Sequence, residues 1–133
     1  MLLQEAGRPT RGRRRVLIVE DHPDGRESLC ALLTLLGYEV DVAIDGFEGV
    51  DMALHHGYDA AIVDLGLPKL DGFQVARRIR HAQGRSIRLL AYTAYASDEA
   101  VKGANEAGFD AHMTKPANFT DLIAWLGTPG STG

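Results

Sequence analysis

Val16, Leu17, Ile18 and Val19 form an uninterrupted apolar run that stops at the acidic pair Glu20 and Asp21. A short β-branched run with no polar face predicts a strand covered on both sides of a sheet. The period then changes. Leu29, Leu32, Leu33 and Leu36 fall at the i, i+3, i+4, i+7 spacing of one helical face, and Gly37 stands where a left-handed cap would end the helix. From Glu39 to Ala43 polar and apolar residues alternate, which predicts a strand with one face less buried, as at a sheet edge. Asp45 with Glu48 three residues later reads as a capping box opening a second helix, with Phe47, Val50 and Leu54 as its inward stripe.

The alternation continues to the end of the chain. Asp59 to Val63 predicts a buried strand, and a helix from about Asp71 to His81 turns Val75 and Ile79 inward. Ile87 to Tyr92 is the next strand, followed by a helix capped by Ser97, carrying Val101, Ala104 and Ala107 inward, and ended by Gly108. Asp110 to Met113 predicts a short last strand, and Asn118 caps a final helix in which Leu122, Ile123 and Leu126 face the core. Gly127, Thr128, Pro129 and Gly130 then end regular structure. Five strands alternating with five helices over short loops predict an α/β fold built of right-handed crossovers around one parallel sheet. The edge character of the second strand selects the flavodoxin-like, doubly wound order 2-1-3-4-5.

Composition narrows this picture. With 133 residues, 45% of them hydrophobic, one domain with its own core is expected. The excess of 18 acidic over 14 basic residues gives no general attraction to nucleic acid or anionic lipid. Arg8, Arg11, Arg13, Arg14 and Arg15 cluster among Gly7, Pro9 and Gly12, and are read as a solvated basic arm. The expected division is therefore a flexible arm over 1–14, a domain over 15–127 and a flexible tail over 128–133. Cys30 is the one cysteine, so neither an internal disulfide nor a cysteine-built zinc site is available. No apolar run approaches the roughly 20 residues that span a bilayer, and no signal-peptide pattern opens the chain, so a cytoplasmic protein is expected.

In such sheets the ligand site lies beyond the carboxyl ends of the strands. The residues there are Glu20 and Asp21, then Asp64, then Thr93, then Lys115 followed by Pro116. Crowded carboxylates need a cation, and hard oxygen ligands without His or Cys suit Mg2+, which binds few protein carboxylates and shares its shell with phosphate. A carboxylate there can be the nucleophile of an aspartyl phosphate. Lys115 would balance the transferred charge, and Thr93 could donate to one of its oxygens. Each residue alone is weak evidence, since an acidic pair is commonly a cap and Lys-Pro a turn. Their joint placement at one sheet edge is not explained that way.

These residues carry a family resemblance. From about Arg15 to Leu126 the chain resembles the response-regulator receiver family of two-component signalling, on Val16-Leu17-Ile18-Val19-Glu20-Asp21, Asp64-Leu65-Gly66-Leu67-Pro68-Lys69-Leu70-Asp71-Gly72, Thr93-Ala94-Tyr95 and Lys115-Pro116. The resemblance implies that Asp64 accepts a phosphoryl group, that Asp21 binds Mg2+ directly and Glu20 largely through water, and that the Gly66 carbonyl also reaches the metal. It implies that Thr93 and the Ala94 amide hold phosphoryl oxygens, that Lys115 pairs with phosphate and Asp64, and that the bond before Pro116 is cis. Thr93 and His112 would be the switch, although His112 stands where the family usually has Tyr or Phe. Ala117 stands where Phe is frequent, and the last helix is short.

The implied partners are a sensor histidine kinase or a histidine phosphotransfer protein as donor and a downstream effector protein, with no nucleic acid and no membrane bound through this chain. Such a domain would catalyse only its own phosphorylation and dephosphorylation. A haloacid-dehalogenase-like phosphatase uses similar groups but needs a second Asp two residues after the nucleophile, where Gly66 stands here. The Gly-rich phosphate loops of nucleotide-binding folds are missing. The remaining alternative is a pseudo-receiver that binds partners without phosphorylation.

Overall fold

The computed structural model describes residues 14–129. The expected arm, apart from Arg14, and the last residues of the expected tail lie outside them. Ten elements alternate: β1 (Arg15–Val19), α1 (Pro23–Leu35), β2 (Glu39–Ala43), α2 (Gly46–His55), β3 (Ala60–Asp64), α3 (Gly72–Gln83), β4 (Arg88–Thr93), α4 (Asp98–Ala107), β5 (Ala111–Thr114) and α5 (Phe119–Leu126). All five strands are parallel, in the order β2-β1-β3-β4-β5, as the hydrophobic pattern predicts. The backbone is tied at both ends: the Arg14 amide donates to the Pro129 carbonyl at 2.9 Å and the Glu39 amide to the Arg14 carbonyl at 3.0 Å.

Successive strand residues point to opposite faces, and this divides the core in two. Leu17, Val19, Ala61, Val63, Leu89 and Ala91 meet α2, α3 and α4 through Val50, Ala53, Val75, Ile79, Ala104 and Ala107. Val16, Ile18, Ala60, Ile62 and Leu90 meet α1 and α5 through Leu29, Leu33, Leu122 and Leu126. Burial on both faces explains why β1 and β3 are almost wholly apolar. In β2, at the edge, only Ala43 is buried.

Helix termini follow their capping residues. Asp45, Asp71, Ser97 and Asn118 each accept from the amide three residues on. The capping box is complete at α3, where the Gln74 side chain accepts from the Asp71 amide at 3.1 Å. At α2 the Glu48 carboxylate reaches one residue further back, accepting from Ile44 at 2.7 Å, so that box is only half formed. Gly37 and Gly108 take positive φ of 107° and 112° and end α1 and α4 as expected.

The inward stripe of α2 differs from expectation. Val50 is buried, but Phe47 and Leu54 are 52% and 38% exposed, and the buried face is Gly46, Gly49, Val50 and Ala53. Close approach is the reason. A Cβ on Gly46 would lie 2.1 Å from the Leu70 carbonyl oxygen, and one on Gly49 would lie 2.8 Å from the Val19 methyls. With the backbone pressed this close, large side chains fit only on the outer face, where Phe47 lies under the Arg78 guanidinium. Elsewhere Leu36 is the C-cap of α1 and is 37% exposed, while Leu32, Val101 and Ile123 are only half-buried. Strands β3, β4 and β5 each run one residue later than expected, which makes Asp64 and Thr93 the last residues of their strands. Among the described residues no helix is long and apolar enough to cross a membrane.

At the opposite end of the sheet, the buried Tyr58 hydroxyl donates to Asp41 Oδ2 at 2.7 Å, tying the loop before β3 to edge strand β2. Tyr58→Phe is expected to lower unfolding stability by about 1 kcal/mol at pH 7, since Asp41 keeps partial access to water when its donor is lost. Burial first, then the bond to Asp41, raises the Tyr58 phenol above its usual 10.0. The folded state thus keeps a proton that the unfolded chain releases, so this contribution is intact below pH 10.0 and is lost as pH rises beyond it. Urea titrations between pH 8 and 11 should show a steeper alkaline loss in the wild type than in Tyr58→Phe; equal slopes would contradict the assignment.

Candidate active site

β1 ends at Val19, and the Glu20 amide continues the ladder by donating to the Ala43 carbonyl at 3.1 Å. Glu20 is thereby drawn inside and is only 4% exposed, while Asp21, one residue on, stands in the open. The turn between them is held from α1: one Arg26 nitrogen donates to the carbonyls of Glu20 and Asp21, at 3.1 and 3.3 Å. The neighbouring strand β3 delivers Asp64 to the same mouth. Oxygens of Glu20, Asp21 and Asp64 lie within 4.8 Å of one another. The Gly66 amide donates to Asp64 Oδ1 at 3.0 Å and fixes that carboxylate against the following turn.

Lys115 approaches from the far side of the sheet. Its amide donates to the Thr93 carbonyl at 2.7 Å, its bond to Pro116 is cis, and its Nζ lies 2.5 Å from Glu20 Oε1 and 3.5 Å from Asp64 Oδ2. Burial pushes the Glu20 carboxyl up, and the nearby Asp64 adds to this against the opposing Lys115 and His22 hydrogen bonds. Burial alone would lower the Lys115 ammonium, but the Glu20 hydrogen bond and the charges of Asp64 and Glu20 outweigh it and hold it above its usual value.

The structure thus brings Glu20, Asp21, Asp64 and Lys115 into one crevice with Gly66 beside it. Thr93 is at the end of the adjacent strand, but its hydroxyl is engaged locally, donating to the Tyr95 carbonyl at 3.1 Å and accepting from the Tyr95 amide at 3.3 Å. Ala94 is exposed. His112 is exposed too: its neighbours Ala111 and Met113 pack toward α1 and α5, so strand alternation puts its ring on the opposite face. Two contributors escaped the sequence reading, Arg26 and Tyr92. The Tyr92 hydroxyl accepts from the Ala117 amide at 3.2 Å and its ring lies under Lys115. An arginine five residues after an acidic pair, and an aromatic residue just before the strand-end threonine, were the available signals.

Three carboxylates facing one ammonium leave negative charge unbalanced, and all the donors are hard oxygens. That set fits an ion of the magnesium or calcium type and not zinc. An apolar groove of about 510 Å3 opens next to Lys115 between α1 and α5, with Leu29, Leu32, Tyr92, Phe119 and Leu122 in its walls.

Comparison with known proteins agrees with this geometry. The family model for the response regulator receiver domain matches residues 16–126. The response regulator MprA of Mycobacterium avium (strain 104) is 39% identical over 111 residues, 83% of this chain and 48% of that protein. MprA of Mycobacterium tuberculosis (strain ATCC 25177 / H37Ra) is 39% identical over the same length, 47% of that protein. The chain therefore spans about half the length of these relatives. Among solved structures, the receiver domain of sensor histidine kinase PA1611 from Pseudomonas aeruginosa PAO1, with a magnesium ion coordinated in its active-site cleft, superposes with a TM-score of 0.79 at 34% identity, covering 86% of this chain and 94% of that one. Vibrio cholerae chemotaxis protein CheY4 gives 0.80 at 29% identity, covering 86% and 96%. A Burkholderia pseudomallei response regulator with a phosphorylated aspartic acid and a calcium ion gives 0.79 at 28% identity, covering 86% and 67%. Sequence match and shared architecture agree that this chain belongs to the response regulator receiver domain family.

Proposed function

We propose that Asp64 is the phosphoacceptor of this receiver and that Glu20, Asp21, Asp64 and the Gly66 carbonyl form its Mg2+ site. The observation that carries this reading is the convergence of three carboxylates and one ammonium at the mouth of the sheet. A carboxylate oxygen of Asp64 attacks the phosphorus of a phosphohistidine, the P–N bond breaks, and the imidazole leaves with its electron pair and takes up a proton. Held by these residues, Mg2+ would supply charge neutralisation for the transferring group. The chain's own residues do the rest. Gly66 restrains the nucleophile, Lys115 faces Asp64 from the side where negative charge accumulates, and Thr93 and the Ala94 amide stand one strand away as donors to the phosphoryl oxygens.

The donor on this reading is a sensor histidine kinase or a histidine phosphotransfer protein, and the acyl phosphate formed is later hydrolysed at the same site. The output follows from Thr93. Leaving the Tyr95 carbonyl for a phosphoryl oxygen exchanges a neutral hydrogen bond for a charge-assisted one, and His112 then turns inward, altering the face made by α4, β5 and α5 for an effector protein. Since the chain spans only part of its relatives, that effector is either another segment of a longer protein or a separate partner.

Three outcomes test this reading. With Mg2+ and a small phosphodonor, intact mass should show one acid-labile, hydroxylamine-sensitive phosphoryl group on the wild type and none on Asp64→Ala, with the variant's circular dichroism unchanged; equal uptake by Asp64→Ala would sink the assignment. Asp21→Asn should weaken Mg2+ binding at least about tenfold, because one ligand of a small oxygen set carries much of the affinity. The same substitution should hold or raise metal-free stability by relieving repulsion among the acids, and wild-type Mg2+ affinity would count against it. Thr93→Ala should still bind beryllofluoride, a phosphoryl mimic, yet lose amide shift changes across Asp98–Ala107 and at His112; retention of those changes would remove Thr93 from the switch.

A further inference from the structure

Tyr92 ends the apolar part of β4 one residue before Thr93, and on the ladder it pairs with Met113 of β5. Its ring belongs to the α1 and α5 face of the sheet and forms a wall of the groove beside Lys115. From there it grips the loop after β5 on both sides of Pro116. The phenol oxygen takes the amide hydrogen of Ala117 at 3.2 Å, and Lys115 Nζ lies 5.3 Å from the ring centroid. A tyrosine that only filled space would need neither contact.

Lys115 has two carboxylates to choose between, Glu20 at 2.5 Å and Asp64 at 3.5 Å. A cation entering the acidic cluster competes for Glu20, so the strongest present restraint on the ammonium weakens as the site fills. The face of Tyr92 offers the metal no oxygen ligand, so its attraction for the ammonium persists through that exchange. We infer that Tyr92 is a positioning residue for phosphoryl transfer: its ring and its bond to Ala117 hold Lys115 at the Asp64 side of the crevice when Glu20 is drawn to the metal. This rests on the reading of Lys115 as the cation that contacts the phosphoryl group.

Beryllofluoride titrations at saturating Mg2+, followed by amide NMR on the whole chain, test it. Tyr92→Leu removes both contacts and should weaken beryllofluoride binding about threefold to tenfold, while Tyr92→Phe keeps the ring face and should lose about twofold to threefold. Mg2+ affinity without fluoride should stay within about twofold of wild type in both variants, because Tyr92 pairs with Asp64 only along the backbone ladder, which neither substitution removes, while its side chain contacts Ala117 and Lys115. In a Lys115→Met background, Tyr92→Leu should weaken beryllofluoride binding no further. Wild-type affinity in Tyr92→Leu, or an equal loss of Mg2+ and beryllofluoride binding, would overturn the inference; so would an undiminished effect in the Lys115→Met background. Wild-type affinity in Lys115→Met alone would instead overturn the reading of Lys115, and this inference with it. Should Tyr92→Leu not fold, Tyr92→Phe decides through the Ala117 bond alone, wild-type affinity again being the contrary result.

Discussion

Lys115 reaches across the mouth of the sheet, from the loop after its last strand to a carboxylate after its first, and holds Glu20 at 2.5 Å. Glu20 is the one charged residue among the described residues that is buried, so its ionised form depends on that contact. Removing the ammonium would leave a carboxylate inside with only the His22 amide as donor, the situation in which a partly buried charge costs most. The pair also spans four of the five strands, from β1 across β3 and β4 to β5. A site built on it exists only when every parallel ladder between those strands is in register, so correct folding and a competent crevice are one condition. The tension is that the same acids repel one another, and a sequence that relieved the repulsion would be more stable and less able to hold a cation.

Packing sets where Asp64 can stand. The loop after β3 folds back so tightly that a Cβ on Gly72 would sit 2.5 Å from the Asp64 carbonyl oxygen, and a Cβ on Gly46 would strike the Leu70 carbonyl in the same loop. Glycine at both positions lets two helix N-termini close over the segment that carries Asp64. The apolar contacts of Leu65, Leu67 and Leu70 then bury the rest of the loop. The carboxylate is thus held by the core on one side and by the Gly66 amide on the other.

Element order, strand order and the four charged residues of the crevice were legible in the sequence because each has a local signature: uninterrupted apolar runs for β1 and β3, alternation for β2, capping residues before α2 to α5. What was not legible depends on distances between segments. The inward face of α2 follows from how closely Gly46 and Gly49 approach their neighbours, and periodicity, which weights large apolar residues, picked Phe47 and Leu54 instead. Arg26 and Tyr92 act through backbone carbonyls, an amide and a ring face, none of which has a motif. The engagement of Thr93 with Tyr95, its own near neighbour, could not be read from residue types either.

That local engagement of Thr93 limits what one residue can contribute to a switch. A net neutral hydrogen bond is worth about 1 kcal/mol and one to a charged group about 2 kcal/mol, so trading the Tyr95 carbonyl for a phosphoryl oxygen gains about 1 kcal/mol. This moves a two-state equilibrium about fivefold, whereas taking it from 1:99 to 99:1 requires about 5.5 kcal/mol. On the proposed reading the remainder has to come from contacts that also exist in only one state. The Ala94 amide is one, because Ala94 is exposed and its amide would gain a charged acceptor only when a phosphoryl oxygen meets it. Lys115 is another, because each step it moves from Glu20 toward Asp64 and the phosphoryl group changes the electrostatics of a partly buried crevice. On that reading the switch is distributed over the same groups that hold the phosphoryl group, and a device that keeps Lys115 on the Asp64 side would bias the signalling equilibrium as well as the chemistry.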